Sequence, residues 1–580
     1  MERDDNFKKV TAIKSHNPNH LGDINGGLLY KEMKQPGGFL WPANNNNITL
    51  TCFTDGVPLF KSSKVSLWPL YLVINELPPA ERFLRKNMMV WGIWQGNDKL
   101  RMNTFLYPFV QDLQKLHSEG FTFNDGPKKK SGKALLVIAT MDLMARAPVL
   151  NMMHHNGECG CIYCETPGIT VPSGKGHARS YPYLIDTFQP RTDASVEMNS
   201  RLAVDRNKVS VGIKGPSVLH AIPRFSLTKG TAIDYMHGAL LGIVKKLMEL
   251  WFHGKSYQMT YFIGHEITDI DCMLKKIKPP YVLKRLPRRI ENNYQHWKAS
   301  EMRSWLLYYS LPCISESSLP EVYIHHYACL VEAIYLLLGE DISESDLQRA
   351  ERLLNSFYEH FAELYMDSAV GLNVHNLYHL VQCVRYWGPL WVYSCFGFDK
   401  DVLEVVHGTG NVAMQILWCL KAQKELALKT KTLPDGKIKD FFKDMLKGGS
   451  RRLPKGIHAQ HCRVVQPMGG TFRFNDAVAS NLKELFEDDS ISEKHFFKSD
   501  KIVYGQIILY SKNCTRVKKR NSYTIEIAQQ HLDGSDIMQV DYFLMKKDTK
   551  QVVAVCTLLR MVRPVVRGRA PHCQIVEKQR

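Results

Sequence analysis

The chain is 580 residues long and 44% apolar, room for about three or four domains with cores of their own. Its 75 lysines and arginines against 57 acids leave a net charge of +18, a balance that favours polyanionic partners, nucleic acid before anionic membrane. Fourteen cysteines are scattered and only Cys159, Cys161 and Cys164 cluster, which excludes a secreted disulfide framework. With no charged-then-apolar leader in view, free thiols in a reducing, intracellular setting are expected.

Residues 1–46 are polar and rich in Asn and Gly, and read as a tether with a short docking segment at 26–31. No Cys/His finger or basic helix opens the sequence, so a separate N-terminal DNA-reading module is expected beyond it. Residues 48–54 alternate apolar and polar in strand fashion and run into Asp55-Gly56. A turn at 57–64, a second strand at 68–75 and a third at 88–94 follow. A helix is expected from about 107 to 118, with Pro108 in its first turn and Phe109, Val110, Leu113 and Leu116 as its apolar positions. Residues 134–141, ALLVIATM, form an unbroken apolar block, the pattern of a buried central strand, and end on Asp142. Carboxylates at strand ends sit where ligands and metals gather in open α/β sheets. By residue type alone Asp55 and Asp142 are as readily turn formers or helix caps.

Cys161 and Cys164 then supply two thiols at zinc-ligand spacing. Residues 165–230 are loop-rich, and 232–366 are mainly helical, a large insertion within the domain that these strands begin. The most apolar stretch, 322–339, contains His325, His326 and Glu332 and is a core helix, not a membrane span. The basic tract 276–289, KIKPPYVLKRLPRR, is interrupted by prolines and is therefore a loop. Its Lys284, Arg285, Arg288 and Arg289 are candidate phosphate contacts; a solvated charged face is the plainer alternative. Helix resumes at 412–428. From about 450 short strands at 502–510, 522–527, 537–544 and 552–560 alternate with turns, with no helix pattern, as in a small β-barrel or SH3-like module.

His375 and His379 stand at i and i+4, on one helical face. With Cys161 and Cys164 they would complete a closed Cys2His2 zinc site that staples the insertion's exit to the core beside Asp142. Two satisfied polar side chains on an ordinary helix are the alternative. Cys159 and His177 are runner-up ligands.

Seven motifs occur in order: Asp55-Gly-Val-Pro-Leu-Phe-Lys-Ser-Ser, Asn75-Glu-Leu-Pro, Asp142-Leu-Met-Ala-Arg-Ala-Pro, Gly160-Cys-Ile-Tyr-Cys164, Asp234-Tyr-Met-His237, His296-Trp-Lys-Ala-Ser-Glu-Met-Arg and His375-Asn-Leu-Tyr-His379. Over roughly residues 25–430 the chain resembles the CACTA (En/Spm-type) DNA transposases in their animal form. The resemblance implies an α/β fold: an RNase H-like DDE/D core interrupted by a large, mainly helical insertion and followed by a small C-terminal all-β module. On that plan 1–46 is the tether, 47–164 the first part of the core and 165–372 the insertion. Residues 373–430 are then the zinc-site helix and last part of the core, and 450–580 the C-terminal module. Asp55 and Asp142 are the implied first and second catalytic acids. The family has Phe-Glu where this chain has Phe398-Asp399, and the stretch before His407-Gly-Thr409 is about one helical turn shorter. Asp399 is the expected third acid, with Glu404 as alternate. Asp234 and His237 match the family's Asp-x-x-His, with helix capping the plainer role for Asp234. A distantly similar Transib-derived recombinase of vertebrate immunity binds zinc with a Cys pair and a His pair in the corresponding places.

The implied chemistry is hydrolysis and strand transfer at phosphorus by two Mg²⁺ ions held by three carboxylates, with a structural Zn²⁺ alongside. Implied partners are DNA at transposon ends and target and further copies of the chain, in the nucleus and without a membrane. Two other readings stand beside it. One is an inactive or domesticated transposase-derived protein that keeps the fold and the charge. The other is an interaction scaffold whose C-terminal module reads a peptide through an aromatic cage, with Tyr504, Tyr510 and Tyr523 as candidates.

Overall fold

The structure, a computed structural model, describes residues 20–42, 46–58, 65–125, 127–184, 188–280, 283–397, 411–446, 454–467, 472–505, 507–514, 520–528 and 535–578. These fall into two compact units, residues 1–264 with 319–442, and residues 265–318 with 443–580. No helix among the described residues is long and apolar enough to cross a membrane.

The first unit is built on a mixed sheet. Strands β1 (Ile48–Thr54), β2 (Val57–Pro58), β3 (Ser66–Ile74) and β4 (Met89–Gly96) form an antiparallel meander, with β3 between β1 and β4. Helix α1 (Met102–Ser118) and the hairpin β5 (Phe121–Asp125) and β6 (Lys128–Gly132) lead into β7 (Ala134–Met141), after which β8 (Ile169–Ser173) and β9 (Gly176–Ser180) pair as a second hairpin. Strand β7 lies parallel to β1 on one side and to β10 (Thr231–Ile233) on the other. The spatial order is therefore β4-β3-β1-β7-β10. Helix α1 starts about a turn and a half earlier than its pattern suggests, so Pro108 lies inside it. Its Met102, Leu106, Phe109, Val110 and Leu113 bury against Leu50, Cys52, Leu70, Leu72 and Leu136 of the sheet.

Strand β1 departs from its alternating pattern, because all seven residues are buried. Its threonine face is covered by the turn after β3. The Thr49 hydroxyl donates to Glu76 Oε1 at 2.6 Å, and the Thr51 hydroxyl to Asn75 Oδ1 at 2.7 Å. A second element seals the same face. Tyr30, on the helix Leu28–Lys34, donates its hydroxyl to Glu76 at 2.9 Å. Burial pushes the Glu76 carboxyl up, although Thr49 and Tyr30 donate to it. Just upstream, Arg82 grips Asp23 with two parallel bonds of 2.8 and 2.7 Å, both side chains buried. Gly388, at φ +88°, ends a neighbouring helix; a Cβ there would lie 2.5 Å from the Asp23 carbonyl oxygen, so the close approach requires glycine. The short docking segment thus becomes part of the core, anchored by charge and a buried phenol.

Three elements differ from the sequence reading. Strand β10 falls inside the stretch assigned to a helical insertion; at three residues it is too short to show a period. Residues 265–318, also assigned to that insertion, belong to the second unit. There they join two sheets: β11 (Ile457–His458), β12 (Arg463–Val464), β14 (Lys501–Tyr504) and β15 (Ile507–Tyr510) in one; β13 (Phe496–Ser499), β16 (Thr524–Ala528), β17 (Ser535–Lys546), β18 (Val552–Val566) and β19 (Arg569–Lys578) in the other. Val464, Ile502, Val540, Phe543 and Met545 form a core between them, with Tyr523 packed against it rather than standing in an open cage. The 450–580 stretch is not purely strand either. Asn475 caps a helix, Asp476–Phe486, whose Leu482 packs with Phe496 and Leu544.

Removing the carboxylate of Asp23 leaves the Arg82 guanidinium, 1% exposed, without it. Asp23→Ala is therefore expected to cost about 3–5 kcal/mol, whereas Asp23→Leu with Arg82→Met should recover most of that loss. Urea denaturation followed by far-UV circular dichroism measures both.

Candidate active site and metal centre

Asp55, Asp142 and Asp234 each follow the last residue of a strand, β1, β7 and β10. Phe53 pairs with Thr140 and Ile233 with Met141, so the three acids leave the same edge of three adjacent parallel strands. Neighbouring strands lie about 4.8 Å apart, which sets the scale of their separation. Asp142 is also a helix cap, its Oδ1 accepting from the Ala145 amide at 2.6 Å. Capping and strand-end placement are one geometry here: strand β7 stops where the helix Leu143–Val149 begins.

Asp234 is a buried knot. Its Oδ1 accepts from the amides of Met236 (3.2 Å) and Cys395 (3.0 Å) and from the Ser394 hydroxyl (3.3 Å). Its Oδ2 accepts from the His237 amide (3.1 Å) and lies 2.6 Å from His237 Nδ1. His237 sits in the π-helical segment Met236–Val244, a wide turn that such sites often use. Burial alone would push the His237 imidazole down. The bond and charge of Asp234, joined by the charges of Asp55 and Asp142, reverse this and raise it to about 9. Burial would likewise raise the Asp234 carboxyl, but His237 and the bonds from Cys395 hold it below the usual range. Both strand-end acids therefore act on the one ring that Asp234 holds. Asp234, His237 and Cys395 have ligand atoms within 4.8 Å of one another. Both Asp234 oxygens are already engaged, however, and burial, then the charge of Asp234, pushes the Cys395 thiol well up. The trio is a hydrogen-bonded brace rather than a cation site.

The second cluster is different in kind. One ligand atom from each of Cys161, Cys164, His375 and His379 lies within 4.8 Å of the others. His375 Nε2 is 3.2 Å from Cys164 Sγ and 3.3 Å from His379 Nε2. Two nitrogens bound to a tetrahedral zinc at about 2.0–2.1 Å would themselves stand about 3.3 Å apart, so the set fits that ion. The tautomer is also right. The Tyr358 hydroxyl donates to the Tyr181 carbonyl at 2.7 Å and so accepts at 2.9 Å from His375 Nδ1, which leaves the Nε2 lone pair facing the thiols. Burial raises the Cys161 thiol, but bonds from Cys164 and the Tyr163 amide and the charge of Arg146 bring it down to about 7. Arg191 holds the loop by donating to the carbonyls of Cys159, Cys161 and Cys164. Neither Cys159 nor His177 belongs to the four-residue cluster.

Of the remaining candidates, Lys284, Arg285 and Arg289 are exposed in the second unit. Arg288 is not a free phosphate contact. It pairs with Glu301 through Nε at 2.5 Å and Nη2 at 3.0 Å and donates to the His296 carbonyl. Asp399 and Glu404 lie outside the described residues. The sequence reading missed what Asp234 and His237 do, because the partners Ser394 and Cys395 are about 160 residues away. It missed Tyr358 altogether, since nothing in the neighbourhood of that tyrosine marks it as a histidine's partner.

Residues 36–186 match the family model described as transposase family tnp2. That span carries β1 to β7, Asp55, Asp142 and the Cys161/Cys164 pair, and supports a transposase-related function. No curated protein matches it.

The His237–Asp234 pair carries a definite pH signature. A histidine raised in the folded state stabilises fully below its unfolded value near 6.5 and loses that contribution as pH rises through about 9. Asp234, depressed, contributes above the ordinary carboxylate value and loses it as pH falls through its own lower one. The stability of wild type minus that of His237→Gln, from urea curves, should be flat from about pH 4 to 6.5 and decline from there toward 9.

Proposed function

We propose that the chain is a DNA transposase of the CACTA (En/Spm-like) animal type, acting in the nucleus on transposon ends and target DNA as a homo-oligomer. The observation that carries this reading is the pair Asp55 and Asp142 at adjacent parallel strand ends, inside the segment that matches a transposase family. An antiparallel meander followed by two parallel strands, in the order β4-β3-β1-β7-β10, supports an RNase H-like core.

In this reading Asp55 and Asp142 hold the divalent cations and an acid from residues 398–410, Asp399 first and Glu404 second, completes the set. Hard carboxylate oxygens at a half-exposed strand edge suit Mg²⁺. Bound there, two ions would activate the attacking oxygen and stabilise the leaving one. The chain's own residues do the remaining work. Asp234 fixes His237 through Nδ1, so the ring's position beside Asp55 and Asp142 is set before substrate arrives. A held imidazolium there counters the negative charge that the scissile phosphate brings to a carboxylate-rich edge. Asp234 also ties down Ser394 and Cys395, the residues that lead into the third-acid segment. Cys161, Cys164, His375 and His379 would hold a structural zinc, their ligand atoms lying within 4.8 Å of one another.

A second reading, a transposase-derived protein that binds DNA without cutting it, is favoured by Asp399 in place of the family's Glu and by the short stretch before His407. Mg²⁺-dependent nicking of a transposon-end duplex separates the two. Wild type should nick, Asp55→Ala and Asp142→Ala should fall to background, and His237→Ala should fall by about 100-fold. Loss in Asp399→Ala but not Glu404→Ala names the third acid; no nicking by wild type would uphold the non-cutting reading. The purified chain should also carry a single equivalent of zinc by elemental analysis. Cys161→Ser with Cys164→Ser should abolish that zinc and lower the melting temperature.

A further inference from the structure

The chain's charge is not spread evenly. Residues 265–318 and 443–580 hold 34 lysines and arginines against 20 acids, which is +14 of the total +18. The unit that carries Asp55, Asp142 and the Cys2His2 cluster is nearly balanced, with 41 against 37.

Within the second unit several acids are turned onto the backbone. Asp271 accepts from the amides of Ile290 (2.6 Å) and Glu291 (3.3 Å). Glu301 takes Arg288 and the Lys298 amide. Glu266 accepts from the Ser318 amide and Glu493 from that of Phe474. Acids used in this way oppose the cations less at the surface.

One loop concentrates the effect. Arg520 donates Nη1 to the carbonyls of Pro280 (3.0 Å) and Leu283, and Nη2 to that of Lys284 (3.0 Å). The Asn521 amide adds a bond of 3.1 Å to the Pro279 carbonyl. Further along, Asp271 and the Arg288–Glu301 pair hold the loop's exit. The carbonyl oxygens, which would repel an anion, are thereby occupied. Lys284, Arg285 and Arg289 stay exposed on a backbone already fixed, so ordering them costs less on binding.

We propose that this braced loop, 283–289, is a phosphate-backbone contact for duplex DNA. It gives the second unit a sequence-independent grip that is separate from the chemistry of the strand-end acids. Arg520 is its positioning residue. The proposal rests on DNA being the substrate but not on the chain cutting it.

The test uses the full-length chain and fluorescence anisotropy on two labelled duplexes, a transposon end and an unrelated sequence, over a range of salt. Lys284→Ala with Arg285→Ala and Arg289→Ala should lower the slope of log affinity against log salt by about 2.7, equally on both duplexes, since each phosphate contact contributes about 0.9. Arg520→Lys keeps the charge but loses the planar fork, and should also lower the slope; a purely electrostatic role would leave it unchanged. Lys128→Ala with Lys129→Ala, exposed on the first unit, should leave the slope as it is. An unaltered slope in the triple variant overturns the proposal, as does an equal fall in the Lys128/Lys129 variant. An acidic polypeptide of matched charge that binds the wild type more tightly than either duplex at the same salt, and loses that advantage in the triple variant, would reassign the loop to a protein partner and overturn the proposal too. Asp142→Ala separates the two readings: it abolishes nicking yet keeps the wild-type slope, so either can fail alone.

Discussion

The parallel pairing of β1 with β7 and of β7 with β10 is the constraint on which the first unit depends. It delivers Asp55, Asp142 and Asp234 to one edge of the sheet, each just past a strand. Three carboxylates spaced on the scale of about 4.8 Å repel one another, and one is buried as well. The fold answers this locally. Asp234 is neutralised by His237 and enclosed by donors from 236–237 and 394–395, so it leaves the electrostatic competition. Asp55 and Asp142 are only half-buried, and on the proposed function they are the groups that would take up cations at that edge.

Strand β10 takes its register from β7, and neighbours of the cysteine–histidine cluster tether its start. Tyr163, between the two cysteines, donates its hydroxyl to the Thr231 carbonyl at the start of β10 at 2.8 Å. Trp387, at the end of the His379 helix, donates to the Lys229 carbonyl at 2.7 Å. Tyr358 on the helix Glu344–Glu359 fixes His375 from behind. A strand of three residues cannot hold its place through its own ladder bonds alone. Tyr163 and Trp387 add bonds at and just before its first residue, close to the acid that ends it.

This division explains what was legible in the sequence. Asp55, Asp142 and the Cys161/Cys164 pair announce themselves through local pattern: an apolar strand that stops on an acid, and two thiols at ligand spacing. His375 and His379 share a face through helical spacing. Strand β10 has too few residues for a period, and the duty of Asp234 is defined by Ser394 and Cys395, far along the chain. Arg288 reads as one more cation in a basic run until Glu301, thirteen residues on, takes it up. The helix at Asp476–Phe486 was readable, with its Asn475 cap and Val478, Leu482 and Phe486 at helical spacing, but it stands among strands that dominate the local pattern. The membership of 265–318 in the second unit was not readable, because it rests on long-range contacts such as those of Arg520 with carbonyls some 240 residues earlier and of His572 with the Leu307 carbonyl.

The knot at Asp234 also ties distant parts of the chain together. The Cys395 amide is fixed 3.0 Å and the Ser394 hydroxyl 3.3 Å from Asp234 Oδ1, so the end of β10 is joined to residues about 160 positions later. The other oxygen, Oδ2, lies 2.6 Å from His237 Nδ1 and accepts from the His237 amide. One buried carboxylate thus positions both the imidazole and residues 394–395, and neither can shift without disturbing the bonds that hold the other.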